Sequence, residues 1–177
     1  MTEAPRLFLV TGIPGAGKTT IGRLLAKRFE RGVHIEADAL QGLIVRGARW
    51  PDEQPRDDAL RQLALRARNA ALLAANFFDD GFTVVIDDVV IGRERLGIYE
   101  RQLAPRPLEL VVLAPAREVA LRRDERRDHK YVGNRFGDLD AEQRQKLGGL
   151  GLWLDTGGMT PEATVDAILA ATPDQPS

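Results

Sequence analysis

Short apolar runs alternate along the chain with longer stretches in which apolar residues recur at helical spacing. The apolar runs predict five β-strands, at residues 7–10, 33–35, 83–86, 108–113 and 152–154. The helical spacing predicts α-helices over 19–29, 56–80, 93–102, 117–127 and 161–169, with a short helix after the second strand. This alternation predicts a three-layer α/β sandwich, in which helices flank a five-stranded, mostly parallel sheet.

The longest predicted helix has one apolar face, while Arg61 and Arg68 fall elsewhere. Its apolar positions are Leu60, Leu63, Ala64, Ala67, Ala71, Ala74 and Phe78. Two segments, 47–58 and 131–151, fit neither helix nor strand. We interpret both as loops or partial helices around a site.

Composition narrows the class of protein. A chain of 177 residues predicts one domain over 1–177, and its net charge of −1 argues against a general nucleic-acid or membrane-surface binder. The absence of cysteine excludes disulfides, cysteine zinc sites and thiol catalysis. Since no apolar run approaches the length of a membrane span or a signal-peptide core, we expect a cytoplasmic protein without membrane association. Its oligomeric state is left open between monomer and homodimer.

A glycine-rich segment follows the first predicted strand and opens a helix. Residues 12–19, GIPGAGKT, match the phosphate-binding loop pattern G-x-x-x-x-G-K-[ST]. In such a loop, backbone N–H groups and the helix N-terminus surround phosphate groups, the lysine reaches the β- and γ-phosphates, and the hydroxyl binds Mg²⁺. The predicted nucleotide-binding residues are Gly12, Pro14, Gly15, Ala16, Gly17, Lys18, Thr19 and Thr20. We call residues 12–19 the P-loop.

Two acids end the third predicted strand. A carboxylate at the end of an apolar strand beside the P-loop strand is typical of a Mg²⁺ site, and Asp87 is the better candidate because it directly follows the strand. Thr19 and Asp87 are therefore the predicted metal ligands. Asp88 then points to the opposite side, where it could face an acceptor. The alternative is that both acids only end the strand.

Asp38 follows the second predicted strand. Since the carboxyl ends of parallel strands converge on the ligand crevice, this carboxylate is expected to face the site. There it can accept the proton of an attacking hydroxyl as a general base. The alternative is a helix N-cap, a position that Asp favours and that is compatible with catalysis.

The densest charge run lies between residues 122 and 135, where six cations accompany three acids. The pairs Arg122 with Arg126 and Arg123 with Arg127 each share a helix face at i, i+4. One such pair can close over a triphosphate and stabilise charge on the transferring phosphoryl group, which predicts a lid within 117–150. The alternative is a solvated face on which these arginines pair with neighbouring acids.

Together these segments resemble a known family. GIPGAGKTTIGRLLAKRF, HIEADAL, VVIDDVVIG, the arginine-rich run and LWLDTGGMTPEATVDAIL are similar to the small P-loop kinases. The nearest group is the chloramphenicol phosphotransferase-like proteins, with nucleoside monophosphate kinases and shikimate kinases as broader relatives. The resemblance implies a five-stranded parallel sheet, ATP and Mg²⁺ as cofactors, and transfer of the γ-phosphoryl group to a small-molecule hydroxyl.

The resemblance also implies roles for particular residues. Asp38 matches the base, and Lys18 and Thr19 match the P-loop pair. Arg123 and Arg127 loosely resemble the lid arginines, and we predict that they and Lys18 are catalytic. From the charge run itself, Arg122 and Arg126 are predicted to bind the nucleotide.

The sequence departs from individual members of that family. Drug-modifying members carry Ser-Ser where this chain has Pro14-Gly15, which argues against chloramphenicol itself. The sequence contains neither the triple glycine of shikimate kinases nor the DGFPR-type segment of adenylate kinases. These two absences argue against the acceptors of both enzymes as the acceptor of this protein. In two features, Pro14-Gly15 in the P-loop and an Asp after the second strand, the sequence also resembles polynucleotide 5′-hydroxyl kinases and zeta-type toxin kinases.

Three functions follow from these patterns. The favoured one is a kinase of a small hydroxylated metabolite or antibiotic, with Trp50 and the 47–58 loop forming the acceptor pocket. Cations available for an anionic acceptor are Arg46, Arg49, Arg61 and Arg68. A polynucleotide 5′-hydroxyl kinase predicts a basic groove, and it is less favoured because the net charge is −1 and the chain is short. A nucleotide-binding switch ATPase would need no base at Asp38.

Overall fold

The computed structural model describes residues 4–125 and 139–172. Its elements follow one another as strands and helices in near-regular alternation. They are β1 (Leu7–Thr11), α1 (Lys18–Ala26), β2 (Gly32–Glu36), α2 (Ala37–Gln41), α3 (Arg56–Asp79), β3 (Thr83–Asp87), α4 (Arg93–Leu103), β4 (Leu108–Leu113), α5 (Arg117–Glu125), α6 (Leu139–Leu147), β5 (Leu152–Leu154) and α7 (Pro161–Ala171).

The five strands form one parallel sheet in the order β2-β3-β1-β4-β5. The predicted α/β fold class is confirmed. The register pairs Asp87 at the end of β3 with Glu36 on one side and Val10 on the other. The three strands that carry the predicted site residues therefore end together, at what we call the carboxyl edge of the sheet.

Each face of the sheet has its own apolar core, because successive strand residues point to opposite faces. Leu7 and Leu9 of β1 belong to a core with α3 and α4, which includes the alanines of α3 and the buried ring of Tyr99. Phe8 and Val10 belong to the other core, with α1 and α7. The P-loop lies between these two layers, at the carboxyl edge.

The buried stripe of α3 overlaps the predicted one but is turned to one side of it. Leu63, Ala67, Ala71 and Ala74 are buried as predicted. Leu60 was also expected on the buried face but is 46% exposed, whereas Ala59, Arg66 and Ala70 are buried instead. The rotation has a physical cause, since α3 packs on α4 as well as on the sheet and small alanines allow that close approach. A charged residue, Arg66, thus lies inside the layer.

The two segments that fitted neither element are partly helical. In the first, the chain is irregular up to Pro55 and enters α3 at Arg56. In the second, α6 occupies 139–147, while residues 131–138 lie outside the described ranges. The described parts of both segments agree with the prediction of loops or partial helices.

At the opposite edge of the sheet, where the strands begin, the side chain of Arg6 links three parts of the chain. The guanidinium of Arg6 donates to both carboxylate oxygens of Glu109, at 2.8 and 2.6 Å, and to the carbonyl of Thr172 at 2.6 Å. Arg6 thereby joins the start of β1 to β4 and to the residue after α7. Within residues 4–125 and 139–172, no helix combines the length and apolar character needed to cross a membrane.

Candidate active site

The P-loop turns sharply between β1 and α1 because of its glycines. Gly12, Gly15 and Gly17 all have positive φ angles, of 154°, 79° and 95°. A side chain at Gly12 is excluded by space as well, since a Cβ there would lie 2.5 Å from the carbonyl oxygen of Leu113. The loop is therefore built tightly against the end of β4, with α1 starting at Lys18.

The base of the P-loop is fixed by buried polar contacts. The Thr11 hydroxyl accepts a hydrogen bond from the Val90 backbone N–H at 2.9 Å. The side-chain amide of Gln143, from α6, donates to the Val90 carbonyl at 2.7 Å. Helix α6 is thus connected to the residue that immediately precedes the loop.

The predicted phosphate and metal residues come together at the carboxyl edge. Lys18 is buried and its ammonium donates to the Ile13 carbonyl at 3.2 Å, so it folds back over the loop. The hydroxyl of Thr19 lies 3.5 Å from Oδ1 of Asp87. The other Asp87 oxygen, Oδ2, lies 2.6 Å from Nε2 of His34.

Thr19 and Asp87 fit a magnesium ion. Mg²⁺ takes oxygen ligands at about 2.0–2.1 Å in octahedral geometry, so adjacent ligands are roughly 2.9 Å apart. The hydroxyl and carboxylate oxygens stand 3.5 Å apart, close to that spacing, and both are of the ligand type that Mg²⁺ prefers. In P-loop proteins the remaining positions are filled by phosphate oxygens and water.

Asp88 lies on the opposite face from Asp87 and does not face an open acceptor site. Its side chain is completely buried. Its Oδ1 accepts from Arg66 at 2.5 Å and from the Val89 backbone N–H at 2.8 Å, while Oδ2 accepts from the Tyr99 hydroxyl at 2.8 Å. The expectation that Asp88 faces an acceptor is therefore wrong, because α3 and α4 cover it.

Asp38 is connected to Asp88 through the same guanidinium. Arg66 donates from one terminal nitrogen to Asp88 and from the other to Oδ1 of Asp38, at 2.6 Å. The Asp38 side chain is 37% exposed, whereas that of Arg66 is only 4% exposed. Asp38 thus combines an accessible carboxylate with a fixed partner, at the start of α2 where it was predicted.

The charges of this network are balanced inside the protein. Burial alone would lower the pKa of Arg66, but the carboxylates of Asp88 and Asp38 outweigh it and raise that pKa above its usual value. Burial also raises the pKa of Tyr99, and the Asp88 carboxylate raises it further. Arg66 therefore stays cationic and Tyr99 stays a hydrogen-bond donor at neutral pH.

The wall beside Asp38 continues along α2 and α3. One turn beyond the Asp38–Arg66 pair, the amide of Gln41 donates to Gln62 at 3.1 Å and to the Arg49 carbonyl at 3.0 Å. Gln62 accepts from the Arg49 backbone N–H at 2.7 Å and donates to the Gly47 carbonyl at 2.8 Å. The loop of residues 47–50, which leads to Trp50, is thereby attached to both helices.

Two of the four predicted lid arginines, Arg122 and Arg123, lie within the described residues. Arg122 and Arg123 line a groove of about 240 Å³ with Val119 and Gly157, and Arg123 donates to the Thr156 carbonyl at 3.2 Å. This groove lies between α5 and the loop after β5. The expectations for Arg126 and Arg127 lie outside the described residues.

Sequence reasoning missed several of these residues. Arg66 carried a usable signal, since it is flanked in helical spacing by Leu63 and Ala70, and a charge among buried residues requires a buried partner. His34, Tyr99 and Gln143 carried no comparable signal. Their partners are far away in the sequence, and their residue types are common in helices and strands of any function.

A glycine loop between a parallel strand and a helix, beside acids that end the neighbouring strands, defines a P-loop nucleotide-binding fold. The family model described as an AAA domain matches residues 7–147, and the chain belongs to that family. No curated protein sequence matches this chain.

Solved structures of small kinases share the fold. An unliganded sugar kinase from Janibacter sp. HTCC2649 is 23% identical, with a TM-score of 0.66 over 94% of this chain and 93% of that one. A gluconokinase from Sinorhizobium meliloti 1021 is 22% identical, with a TM-score of 0.64 over 95% and 91%. A shikimate kinase from Acinetobacter baumannii is 20% identical, with a TM-score of 0.64 over 95% and 92%. The resemblance to the small P-loop kinases is confirmed at the level of the fold.

Proposed function

We propose that the protein is an ATP-dependent phosphotransferase that moves the γ-phosphoryl group of ATP to a hydroxyl of a small molecule. The observation that carries this proposal is the position of Asp38. Its side chain is 37% exposed at the carboxyl edge, whereas those of Asp87 and Asp88 are 6% and 0% exposed. An accessible carboxylate close to a P-loop is suited to accept the proton of an attacking hydroxyl.

The nucleotide side of the reaction belongs to the P-loop. We assign the triphosphate to the loop backbone and Lys18, whose ammonium already folds over the loop. Thr19 and Asp87 would hold Mg²⁺, which when bound neutralises charge on the β- and γ-phosphate oxygens. Arg122 and Arg123 line the groove between α5 and the loop after β5, and we assign them to the nucleotide end of the site.

The transfer step exchanges one phosphorus–oxygen bond for another. The acceptor oxygen bonds to the γ-phosphorus as the bond to the bridging β–γ oxygen breaks, and ADP leaves. The acceptor proton passes to the carboxylate of Asp38. Arg66 positions that carboxylate, because it is itself anchored to the buried Asp88.

The acceptor is proposed to bind along α2, α3 and the 47–50 loop. Asp38, Gln41, Gln62 and Trp50 lie on or next to this wall. The names of the structural neighbours support a small hydroxylated acceptor, since they include a sugar kinase, a gluconokinase and a shikimate kinase. We therefore place sugars and sugar acids first among the acceptors to test.

The test is transfer of radiolabelled γ-phosphate from Mg·ATP to separate acceptor pools. The pools contain sugars and sugar acids, antibiotics, nucleosides, and 5′-hydroxyl oligonucleotides. Lys18→Ala and Asp38→Asn are compared with the wild type. Asp80→Asn is the matched control, because Asp80 is exposed and paired with Arg31 at the opposite edge of the sheet. We expect label in one small-molecule pool, unchanged in the control and reduced by about 10²–10⁴-fold in Asp38→Asn.

Other results identify the rival functions. Label on the oligonucleotides alone would indicate a polynucleotide kinase. If no pool is labelled while ATP is slowly hydrolysed, and Asp38→Asn leaves that hydrolysis unchanged, the protein is a switch ATPase and Asp38 is not a base. Loss of transfer in Lys18→Ala but not in Asp38→Asn would keep the kinase and reject its proposed base.

A further inference from the structure

The two oxygens of the Asp87 carboxylate have different neighbours. Oδ1 lies 3.5 Å from the Thr19 hydroxyl and belongs to the proposed magnesium site. Oδ2 lies 2.6 Å from Nε2 of His34, a short hydrogen bond. Since an ionised carboxylate only accepts hydrogen bonds, Nε2 of His34 carries the proton and donates. The imidazole therefore leaves Oδ1 as the oxygen that faces Thr19.

His34 reaches Asp87 from the neighbouring strand, on the face covered by α1. The register pairs His34 with Val85, and Asp87 follows two residues later on the same face of β3. The His34 and Asp87 side chains are 12% and 6% exposed, so little water competes for the bond. A carboxylate held in this way has few alternative rotamers.

The space that the imidazole occupies depends on a glycine in α1. A Cβ at Gly22 would lie 2.8 Å from Nε2 of His34 and 2.9 Å from its Cδ2. Any larger residue at this position would displace the ring from its place beside Asp87. Gly22 is otherwise unfavourable inside a helix, where alanine is preferred. The absence of a side chain here is thus explained by the close approach of His34.

We propose that His34 is a positioning residue for the metal: it fixes the Asp87 carboxylate so that Oδ1 is presented, together with the Thr19 hydroxyl, to Mg²⁺. Gly22 makes the arrangement possible. The inference rests on the proposed function, which assigns Asp87 to the metal. Groups that orient a ligand in this way typically change metal affinity by about 10–100-fold when removed.

The experiment measures binding of Mn²⁺, a paramagnetic substitute for Mg²⁺, by electron paramagnetic resonance in the presence of a non-hydrolysable ATP analogue. His34→Leu removes the donor, and His34→Gln keeps an N–H donor at similar reach. Gly22→Ala displaces the ring without altering either partner. We expect about tenfold weaker Mn²⁺ binding for His34→Leu and Gly22→Ala, and a value near the wild type for His34→Gln.

Two controls separate positioning from folding. Binding of the analogue in EDTA, without metal, is expected to be unchanged in all three variants. Gly97→Ala is the matched glycine control, because its Cβ would meet only the flexible end of Arg101 in α4. It is expected to leave Mn²⁺ binding unchanged. If His34→Leu does not fold, Gly22→Ala and His34→Gln still decide the matter.

Asp87→Asn separates failure of the inference from failure of the proposed function. If this variant weakens Mn²⁺ binding while His34→Leu and Gly22→Ala do not, the positioning role is rejected and the metal assignment stands. If Asp87→Asn itself binds Mn²⁺ normally, the metal assignment is rejected and the role of His34 with it. Equal weakening in His34→Leu and His34→Gln would reject the hydrogen bond as the cause.

Discussion

Asp87 and Asp88 are consecutive acids with opposite surroundings. Asp87 faces α1 and contacts Thr19 and His34, which offer one hydroxyl and one imidazole. Asp88 faces α3 and α4, where a guanidinium, a phenol and a backbone N–H all donate to it. One step along the chain thus separates the carboxylate that we propose as a metal ligand from a carboxylate that is fully occupied within the protein.

The two faces of the sheet thus differ in how their acids are paired. On the α1 side, a ligand can draw on Oδ1 of Asp87 without breaking an ion pair. On the α3 side, Arg66 pairs with two acids, so removal of its guanidinium leaves the buried carboxylate of Asp88 without its ion-pair partner. Asp38 belongs to the second side but is its exposed end. Apart from Asp38, which we propose as the base, we expect substitutions on the α3 side to affect stability and those on the α1 side to affect chemistry.

The largest change in the free energy of unfolding is expected for Arg66→Met. This variant removes the cation that pairs directly with the buried carboxylate of Asp88, and breaking a buried ion pair in this way costs about 3–5 kcal/mol. Urea unfolding at pH 7 measures the loss, and the double variant Arg66→Met with Asp88→Asn is expected to recover a large part of it. A loss below about 1 kcal/mol would mean that the ion pairs do not stabilise the α3 side.

A smaller loss is expected for Tyr99→Phe, which removes one donor from Asp88 but no charge. An unpaired acceptor in this environment costs about 1–3 kcal/mol at pH 7. Because the pKa of Tyr99 is raised by burial and by Asp88, its neutral form contributes stability that is fully present below the unfolded value of 10.0 and is lost as pH rises toward the folded value. The difference between wild type and Tyr99→Phe should therefore shrink above pH 10.

Urea unfolding of both proteins at pH 7, 9 and 10.5 tests this prediction, since other alkaline titrations are common to both. A difference that stays constant up to pH 10.5 would contradict the linkage. A Tyr99→Phe variant as stable as the wild type at pH 7 would show that Arg66 and the Val89 backbone N–H satisfy Asp88 by themselves.

The smallest change in stability is expected for Thr19→Val, on the α1 side. The hydroxyl lies 3.5 Å from Oδ1 of Asp87, which is long for a hydrogen bond. Its loss should therefore change the unfolding free energy by no more than about 0.5 kcal/mol. Phosphoryl transfer should nevertheless fall by at least about tenfold at low Mg²⁺ and recover in part at high Mg²⁺. A Mg²⁺ titration of transfer rate measures this. Equal losses of stability in Thr19→Val and Tyr99→Phe would break the comparison between the two sides.

The fold and half of the site could be predicted from the sequence because their signals are local. A β-branched run followed by two acids predicts where β3 ends, and the register then brings Asp87 to the P-loop strand. The helix predicted from Arg56 ends one residue earlier than expected, at Asp79. The segment after the second strand was also predicted as a short helix. The N-cap of that helix is Glu36 and Asp38 lies in its first turn, so the alternative of Asp38 as the N-cap residue is wrong.

The remainder could not be predicted because it depends on how helices are rotated. The predicted apolar face of α3 included Leu60, whereas the observed face leaves Leu60 exposed and is turned toward Arg66. That turn alone brings a cation to acids that lie 28 and 22 residues away along the chain. Likewise, nothing next to His34 in the sequence indicates that its partner is Asp87 on the adjacent strand.

The bonds of Arg6 have a practical consequence for handling the protein. They hold the start of β1 and the residue after α7 side by side, at the edge of the sheet opposite to the P-loop. A surface tether or fluorescent label attached next to residue 6 or residue 172 would therefore leave the carboxyl edge facing solution. Binding kinetics recorded from immobilised molecules in this orientation would report on the proposed active site without obstruction from the support.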